Sequence, residues 1–311
     1  MKTIIDVSVP VITLVMLFAV GLDLTAKEFA RVRRQPGVVA AGLIGPLVLL
    51  PPIAILLAWT FRPAPDVAAS LLLIAACPIG GISNTYSYLA RASPALSVTL
   101  TGVSCLLAGV TMPLIGRGVE LAVGRQLDLS VPMSALVGQL FVMLTVPVGL
   151  GMWARHAWPG FAQRHQQSMQ RLAFAGVGVV LAAIILDNPR AFLRALPATV
   201  PFAAAFVVCS TVAGWMTAAT VTSDPRDRFT IAAEFGTRNL GVAMAVAVTM
   251  LGRLDFARFA YIYFLSETVM MLAAIAWFRR LRPLGGAPTG RSDTVAFGAD
   301  SRPHGEAHHL L

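Results

Sequence analysis

Long uncharged apolar runs alternate with short connections rich in arginine along most of this chain. The clearest runs are Pro36 to Phe61, Val67 to Ala90, Ala92 to Gly116, Leu129 to Ala154 and Ala195 to Ser223. Each exceeds the roughly 20 residues a helix needs to cross a bilayer. Adding the shorter runs gives nine predicted spans: Ile4 to Leu22, Gly37 to Trp59, Val67 to Ala90, Pro94 to Gly116, Val131 to Trp153, Leu172 to Asp187, Leu196 to Thr220, Phe229 to Leu251 and Ala257 to Phe278. Val7 to Leu22 has the apolar character of a signal peptide. Only Lys2 and Asp6 precede it and no small-x-small cleavage site follows, so it reads as the first span.

Two of these spans are interrupted at mid-depth. In the third, Pro78 has no N–H to give a helix, and Gly80 and Gly81 tolerate non-helical backbone. In the eighth, Gly236 and Gly241 bracket Thr237, Arg238 and Asn239, with Glu234 just ahead. The two breaks lie five spans apart in segments of opposite direction, as an inverted repeat of five-helix units would place them if the first unit lacks its leading helix. Paired interrupted helices point to a transporter's central site. Unwound backbone at membrane depth must be buried or line a cavity, so both breaks are expected at one interior crossing. The N–H groups near Ile82 to Asn84 and near Thr237 to Asn239 would then attract an anion.

Charge inside such spans is costly, which makes Glu234 and Arg238 functional candidates. Four residues apart, they also have the spacing of a packing ion pair. Ser83, Asn84, Ser97 and Thr101 offer oxygens which, with the Glu234 carboxylate, suit a hard cation; each alone is equally suited to bonding helices together.

Composition supports a polytopic membrane protein: 57% of residues are hydrophobic and 13% charged, about half the charged content of a soluble domain. The net charge of +9 does not indicate nucleic-acid binding, because most basic residues sit in the connections. They favour one side, with Lys27, Arg31, Arg33, Arg34, Arg91, Arg155, Arg164, Arg171, Arg226 and Arg228 after odd-numbered spans and Arg279, Arg280 and Arg282 after the ninth. The positive-inside rule places the N-terminus outside and the C-terminus in the cytoplasm. Residues 1–282 form the membrane domain, and 283–311, rich in Gly, Pro, Ser and charge, are expected to be a disordered tail. Cys77, Cys105 and Cys209 lie in apolar runs and the five histidines in connections or the tail, which argues against a metal cluster or a histidine relay. No paired aspartates, His-Glu-x-x-His or Gly-x-Ser-x-Gly point to an intramembrane enzyme.

At the breaks the chain resembles the bile acid:sodium symporter family, as a divergent bacterial-type member. Cys77-Pro-Ile-Gly-Gly-Ile-Ser-Asn84, Tyr88-Leu-Ala90 and Ala95-Leu-Ser97 are similar to that family's Cys-Pro-Gly-Gly-x-x-Ser-Asn, Tyr-Leu-Ala and Ala-Leu-Ser elements. Gly21-Leu-Asp-Leu-Thr25 is similar to its entry into the first cytoplasmic loop, and Glu234-Phe-Gly-Thr-Arg-Asn239 to its Glu-x-Gly-x-Gln-Asn crossover. The resemblance implies a core domain with two crossed broken helices, a panel domain, and one sodium site at Ser83, Asn84, Ser97, Thr101 and Glu234. Relative to ten-span members the first helix is missing. The family's second sodium site departs from its pattern, since Pro46 and Arg238 stand where glutamines are expected, and Tyr263-Phe-Leu-Ser-Glu267 replaces an Asn-containing stretch.

The sequence therefore reads as a secondary active transporter of a small organic anion, coupled to at most one sodium, with Arg238 standing in for the second. Substrate contacts are expected from Gly80, Gly81, Ile82, Ser83, Thr237, Arg238 and Asn239. An exporter of the arsenite or auxin-efflux kind, or a proton-coupled carrier, is the alternative; Cys77 is the cysteine beside a break in sequence, so it carries the arsenite reading. Expected partners are the bilayer and the anion, with the protein a monomer or weak oligomer. The excess of Arg over Lys, associated with GC-rich bacteria, suggests a bacterial inner membrane.

Overall fold

Prolines mark where the helices begin. Pro36, Pro65, Pro159, Pro189 and Pro225 each occupy a first helical turn, where the missing N–H costs nothing and the fixed φ suits the helix. Ahead of two of them, the side chains of Asn188 and Asp224 accept from the N–H groups of Ala191 and Arg226 at 2.9 and 2.8 Å. A computed structural model describes residues 2–123 and 138–281, and among these the chain is all-helical, without strands. The helices are α1 (Lys2–Asp23), α2 (Ala26–Arg34), α3 (Pro36–Phe61), α4 (Pro65–Ala76), α5 (Ile82–Leu89), α6 (Pro94–Val123), α7 (Gly138–Ala157), α8 (Pro159–Asp187), α9 (Pro189–Ala219), α10 (Pro225–Gly236), α11 (Leu240–Met250) and α12 (Leu254–Arg280). The ends of α11 and the start of α7 include π turns, Val246–Met250 and Phe141–Thr145.

Five helices among the described residues are long and apolar enough to cross a membrane: α3, α6, α7, α9 and α12. Three shorter apolar helices accompany them, Ser8–Asp23, Pro65–Ala76 and Leu240–Met250. The last two are halves of the predicted third and eighth spans, which are indeed broken, at 77–81 and at 237–239. The expected sixth span differs. Its helix begins at Pro159 rather than near Leu172, because the polar stretch before Leu172 is held as helix through Gln166 and Gln170, both donating to the Asp23 carboxylate, the latter at 2.7 Å. Residues 131–137 of the fifth predicted span and the tail at 283–311 lie outside the described residues.

The broken helix α10–α11 occupies the centre. Every residue from Phe229 to Val248 is buried, so this segment has no lipid or water face. It packs on α9, α5, α6, α12 and α1. The outer helices instead leave large apolar side chains uncovered, among them Val48, Leu56 and Trp59 on α3 and Val208, Val212 and Met216 on α9. In a bilayer these are the lipid face.

A separate close crossing ties α1 to α7. A Cβ on Gly21 would lie 2.2 Å from the Val148 carbonyl oxygen, and one on Gly151 would lie 2.2 Å from the Phe18 carbonyl oxygen. Both obstructions are backbone and cannot swing aside, so small residues are what let these helices meet. Gly151→Val should therefore cost about 2 kcal/mol or more, as overpacking at an unyielding site does. Thermal unfolding of the purified protein in detergent checks this; an unchanged Tm would mean that the helices separate without loss.

Candidate functional site

The two breaks meet each other. Ile79 and Arg238 form an isolated antiparallel bridge, in which the Gly80 N–H donates to the Thr237 carbonyl at 3.3 Å and the Asn239 N–H to the Pro78 carbonyl at 2.9 Å. The remaining polar backbone of the first break is met from α6: the Ile79 N–H donates to Ser104 Oγ at 3.1 Å, and the Cys105 thiol to the Ile79 carbonyl at 3.5 Å. Each such group left bare in hydrocarbon would cost several kcal/mol. Gly80 has a geometric reason to be glycine, since a Cβ there would sit 2.6 Å from the Arg238 carbonyl oxygen. The crossing expected from the sequence is present, and no closer backbone approach is available to any other residue at position 80.

On one side of the crossing lies a cage of oxygens. Ser83 Oγ donates to Glu234 Oε2 at 3.0 Å and Thr101 Oγ1 to the same oxygen at 3.2 Å, while Ser97 Oγ donates to Glu234 Oε1. Ser97 Oγ is also 2.8 Å from Asn84 Oδ1, and Ser83 Oγ is 3.1 Å from Thr101 Oγ1. These five residues come from α5, α6 and α10, and Ser83, Ser97, Thr101 and Glu234 are fully buried or nearly so. Each hydroxyl carries one proton yet approaches two or more of the other oxygens. The cage therefore holds more lone pairs than protons to fill them, which is the chemistry of a site for a small hard cation.

Arg238 turns away from this cage. Its guanidinium donates to the carbonyl of Glu234 and, at 3.3 Å, to that of Cys77, while its Nε has no partner. These are carbonyls at the C-terminal ends of α10 and α4, where a helix leaves acceptors open and the dipole is negative. No ion pair joins the Arg238 and Glu234 side chains, so the four-residue spacing does not produce the packing salt bridge it permits. Pro46, buried within α3, offers no side-chain oxygen to a second cation.

Several of the expected anion-binding N–H groups are occupied. Those of Ser83 and Asn84 donate to the Gly80 and Gly81 carbonyls at 3.1 and 3.3 Å, and that of Val242 is capped by Asn239 Oδ1 at 3.1 Å. Asn239 is thus a helix cap whose amide also reaches Cys105 Sγ at 3.7 Å. Of the expected donors, the N–H groups of Ser83, Asn84 and Asn239 are thus taken by carbonyls of the two breaks, and Arg238 brings a positive group to the crossing.

The structure adds Cys105 to the crossing and places Glu267, which the sequence shows where an Asn-containing stretch is expected. Cys105, far from either break in sequence, lies between them, so Cys77 is not alone there. Glu267 on α12 is fully buried beside the crossing, with neither carboxyl oxygen hydrogen-bonded. A polar residue in an apolar span was the signal for it. Outside the crossing, Ser93 fastens the α5–α6 turn to α10 by donating to Asp227 at 2.5 Å and to Thr230 Oγ1 at 3.0 Å. Burial pushes the Asp227 carboxyl up and the Ser93 bond opposes it.

The model of the Sodium Bile acid symporter family matches residues 10–194, which takes in the first break and the Ser83, Asn84, Ser97 and Thr101 side of the cage. An uncharacterized sodium-dependent transporter of Bacillus subtilis, YocS, is 26% identical over 233 residues, covering 75% of this chain and 71% of that protein. The sodium-dependent organic anion transporter of Homo sapiens is 30% identical over 144 residues, 46% of this chain and 38% of the human protein. The ileal sodium/bile acid cotransporter of Oryctolagus cuniculus is 27% identical over 186 residues, 60% of this chain and 52% of the rabbit protein. The chain thus spans about half or less of the two mammalian relatives.

Removing the guanidinium would leave two helix-end carbonyls buried without a donor, each worth about 1–3 kcal/mol. Arg238→Ala should accordingly lower Tm well below that of Arg238→Lys, which keeps a donor and a charge. Equal Tm values for the two variants would show that the carbonyls find other partners.

Proposed function

Because the chain belongs to the sodium bile acid symporter family, we propose that it is a sodium-coupled secondary active transporter of a small organic anion. The observation that carries this reading is the oxygen cage of Ser83, Asn84, Ser97, Thr101 and Glu234 beside two crossed broken helices. A sodium ion would use the lone pairs that the hydroxyl protons leave unfilled, and Glu234 would neutralise its charge. Coupling follows from where the ligands come from: the ion draws α5 and α6 onto α10, so its presence fixes the arrangement of the crossing.

One sodium suffices in this reading. Arg238 lies on the carbonyls of Cys77 and Glu234, positions at half-helix C-termini where transporters of this design coordinate a cation. A sodium placed there would meet a fixed positive charge and, with Pro46 in place of an amide, too few ligands. The anion is drawn to Arg238, with Gly80, Gly81, Ile82, Ser83, Thr237 and Asn239 forming the walls of its site.

Nine spans arranged as an inverted repeat complete the proposal, with the N-terminus outside and the C-terminus in the cytoplasm of a bacterium. The helices holding the crossing form the core, and α1, α7 and α8, which pack on one another, form the panel. The Thr13 hydroxyl, donating to the Gly241 carbonyl at 3.0 Å, is a contact across that boundary. Alternating access is movement of core against panel, carried out by a monomer or weak oligomer.

Initial uptake of a radiolabelled bile salt into proteoliposomes, measured against sodium concentration, tests the ion reading. The wild type should follow a single-site curve, Glu234→Gln should lose sodium dependence more than any one of Ser83→Ala, Ser97→Ala or Thr101→Val, and Arg238→Gln should steepen the curve. Cooperative dependence on two sodium ions in the wild type would defeat it. A second reading, export of arsenite on thiolates, draws on the placement of Cys77 and Cys105 together at the crossing. Transport retained in the Cys77→Ser, Cys105→Ser double variant is the expected result, and its loss with normal folding would favour the exporter.

A further inference from the structure

Glu267 is the buried acidic group that the cage does not use. It lies on α12 with no solvent exposure, and neither of its oxygens has a hydrogen-bond partner. One turn before it on the same helix, Tyr263 donates to the Gly236 carbonyl at 2.6 Å, which ties this part of α12 to the second break. The Thr237 hydroxyl, the Arg238 backbone N–H and the Tyr86 hydroxyl approach its carboxyl, and the Arg238 guanidinium acts on it through its charge; none of these groups reaches full hydrogen-bond geometry with it. The Thr237 hydroxyl and the Arg238 Nε are themselves without partners, and the Tyr86 hydroxyl is committed to Thr268 Oγ1 at 3.2 Å. Two orphaned donors and an orphaned carboxyl thus lie together at the second break, on fully or nearly fully buried residues. Buried polar atoms of native proteins are almost always satisfied, so a cluster left open marks a place where something else binds.

Charge decides what that is. With sodium in the cage, Glu234 is balanced, and Arg238 remains as a positive charge whose other two nitrogens lie on neutral carbonyls. An uncompensated guanidinium at this depth is costly, and Glu267 is the acidic group facing it. An anionic substrate attracted by Arg238 would meet the same carboxylate. Two anions beside one guanidinium cannot both stay ionised at low cost.

We propose that Glu267 is a tethered counter-anion of Arg238, and that it must take up a proton from the aqueous side before an anionic substrate can occupy the crossing. When the anion arrives, the Glu267 carboxylate accepts one proton and becomes a neutral carboxylic acid, and the substrate's negative charge replaces it beside Arg238. When the anion leaves, the proton returns to the aqueous phase and the carboxylate neutralises Arg238 again. Substrate and proton therefore bind together, one for one. This rests on the organic-anion reading above and extends it, since the anion would then move with a proton as well as with the caged sodium.

The surroundings confine the titration to Glu267. From α5 it faces Tyr86, from the second break Arg238, and Tyr263 on its own helix and Cys77 at the end of α4 are the nearby weak acids. Elsewhere on the helices packed against α12, α11 has no titratable residue, Asp66 of α4 is bound at the surface to Arg253 at 2.6 Å, and α9 carries Arg190, Arg194 and Cys209. Glu234 is kept out of the titration by saturating sodium, present in both measurements below.

Two measurements on the purified full chain test the proposal. The first needs no substrate. Infrared difference spectra across pH at saturating sodium should show a protonated-carboxyl band that is absent in Glu267→Gln, and its midpoint should move to higher pH in Arg238→Gln; a midpoint indifferent to Arg238 would overturn the counter-anion. The second uses taurocholate, whose sulfonate stays ionised throughout, at saturating sodium. Its affinity for the wild type should fall about tenfold for each pH unit above that midpoint, as uptake of one proton requires, and should be flat in Glu267→Gln. A pH-independent wild type, or the same slope in the variant, would overturn the exchange. If the infrared result holds while taurocholate binds at no pH, the bile-salt probe and the organic-anion reading fail, and the Arg238–Glu267 pair stands.

Discussion

Backbone amides inside hydrocarbon must find partners within the protein, and this requirement governs the centre of the molecule. A continuous helix meets it alone. Here Pro78 and the glycines around it prevent that in one helix, and the stretch from Gly236 to Asn239 departs from it in another. Each break then supplies what the other lacks, through the Asn239 N–H on the Pro78 carbonyl and the Gly80 N–H on the Thr237 carbonyl. The two broken helices are for this reason one structural unit. Neither can shift along its axis without stripping bonds from the other, and the close approach that makes those bonds is possible because position 80 carries no Cβ.

The charges are arranged around that unit by the same logic. A broken helix has two extra ends, and its carbonyl end attracts positive charge. Arg238 fills this need for both helices at once, and doing so takes its guanidinium away from the Glu234 side chain one turn back. The Glu234 carboxylate is left to hydroxyls contributed by α5 and α6. Hydroxyls donate one proton each and keep their lone pairs, so they stabilise the carboxylate without neutralising it. The Arg238 guanidinium, held on the carbonyls, does not close that carboxylate off with an ion pair. Glu267 adds a second buried carboxyl within reach of the Arg238 charge.

These polar groups survive at such depth because other helices exclude lipid from them. Residues 229–248 are buried without interruption, while α3 and α9 carry the exposed apolar surface. The Gly21–Gly151 crossing joins α1 to α7 by a different principle, close backbone contact between small residues, with no charge involved. The Thr13 hydroxyl on the Gly241 carbonyl links α1, which carries the apolar joint, to α11 at the polar crossing.

Much of this was legible in the residues themselves. Apolar run length located most of the described helices, though not the polar first half of α8, and Pro78, the paired glycines and the intramembrane charges located both breaks, because proline and glycine act on the backbone locally and a charge in an apolar run is conspicuous at any fold. The oxygen set of the cage was legible too, through a resemblance that covers those positions. What the sequence left open was every question of partner. Spacing four apart allowed Arg238 to pair with the Glu234 carboxylate, but its guanidinium went to backbone carbonyls instead, that of Glu234 and that of Cys77, which is distant along the chain. Some of the backbone N–H groups that a broken helix exposes were met by Asn239 and by the breaks' own carbonyls, and Cys105 reached the crossing from the middle of an unremarkable helix. Local chemistry determined which groups had to be satisfied; the tertiary structure decided by whom, since that depends on distances between segments that sequence order does not encode.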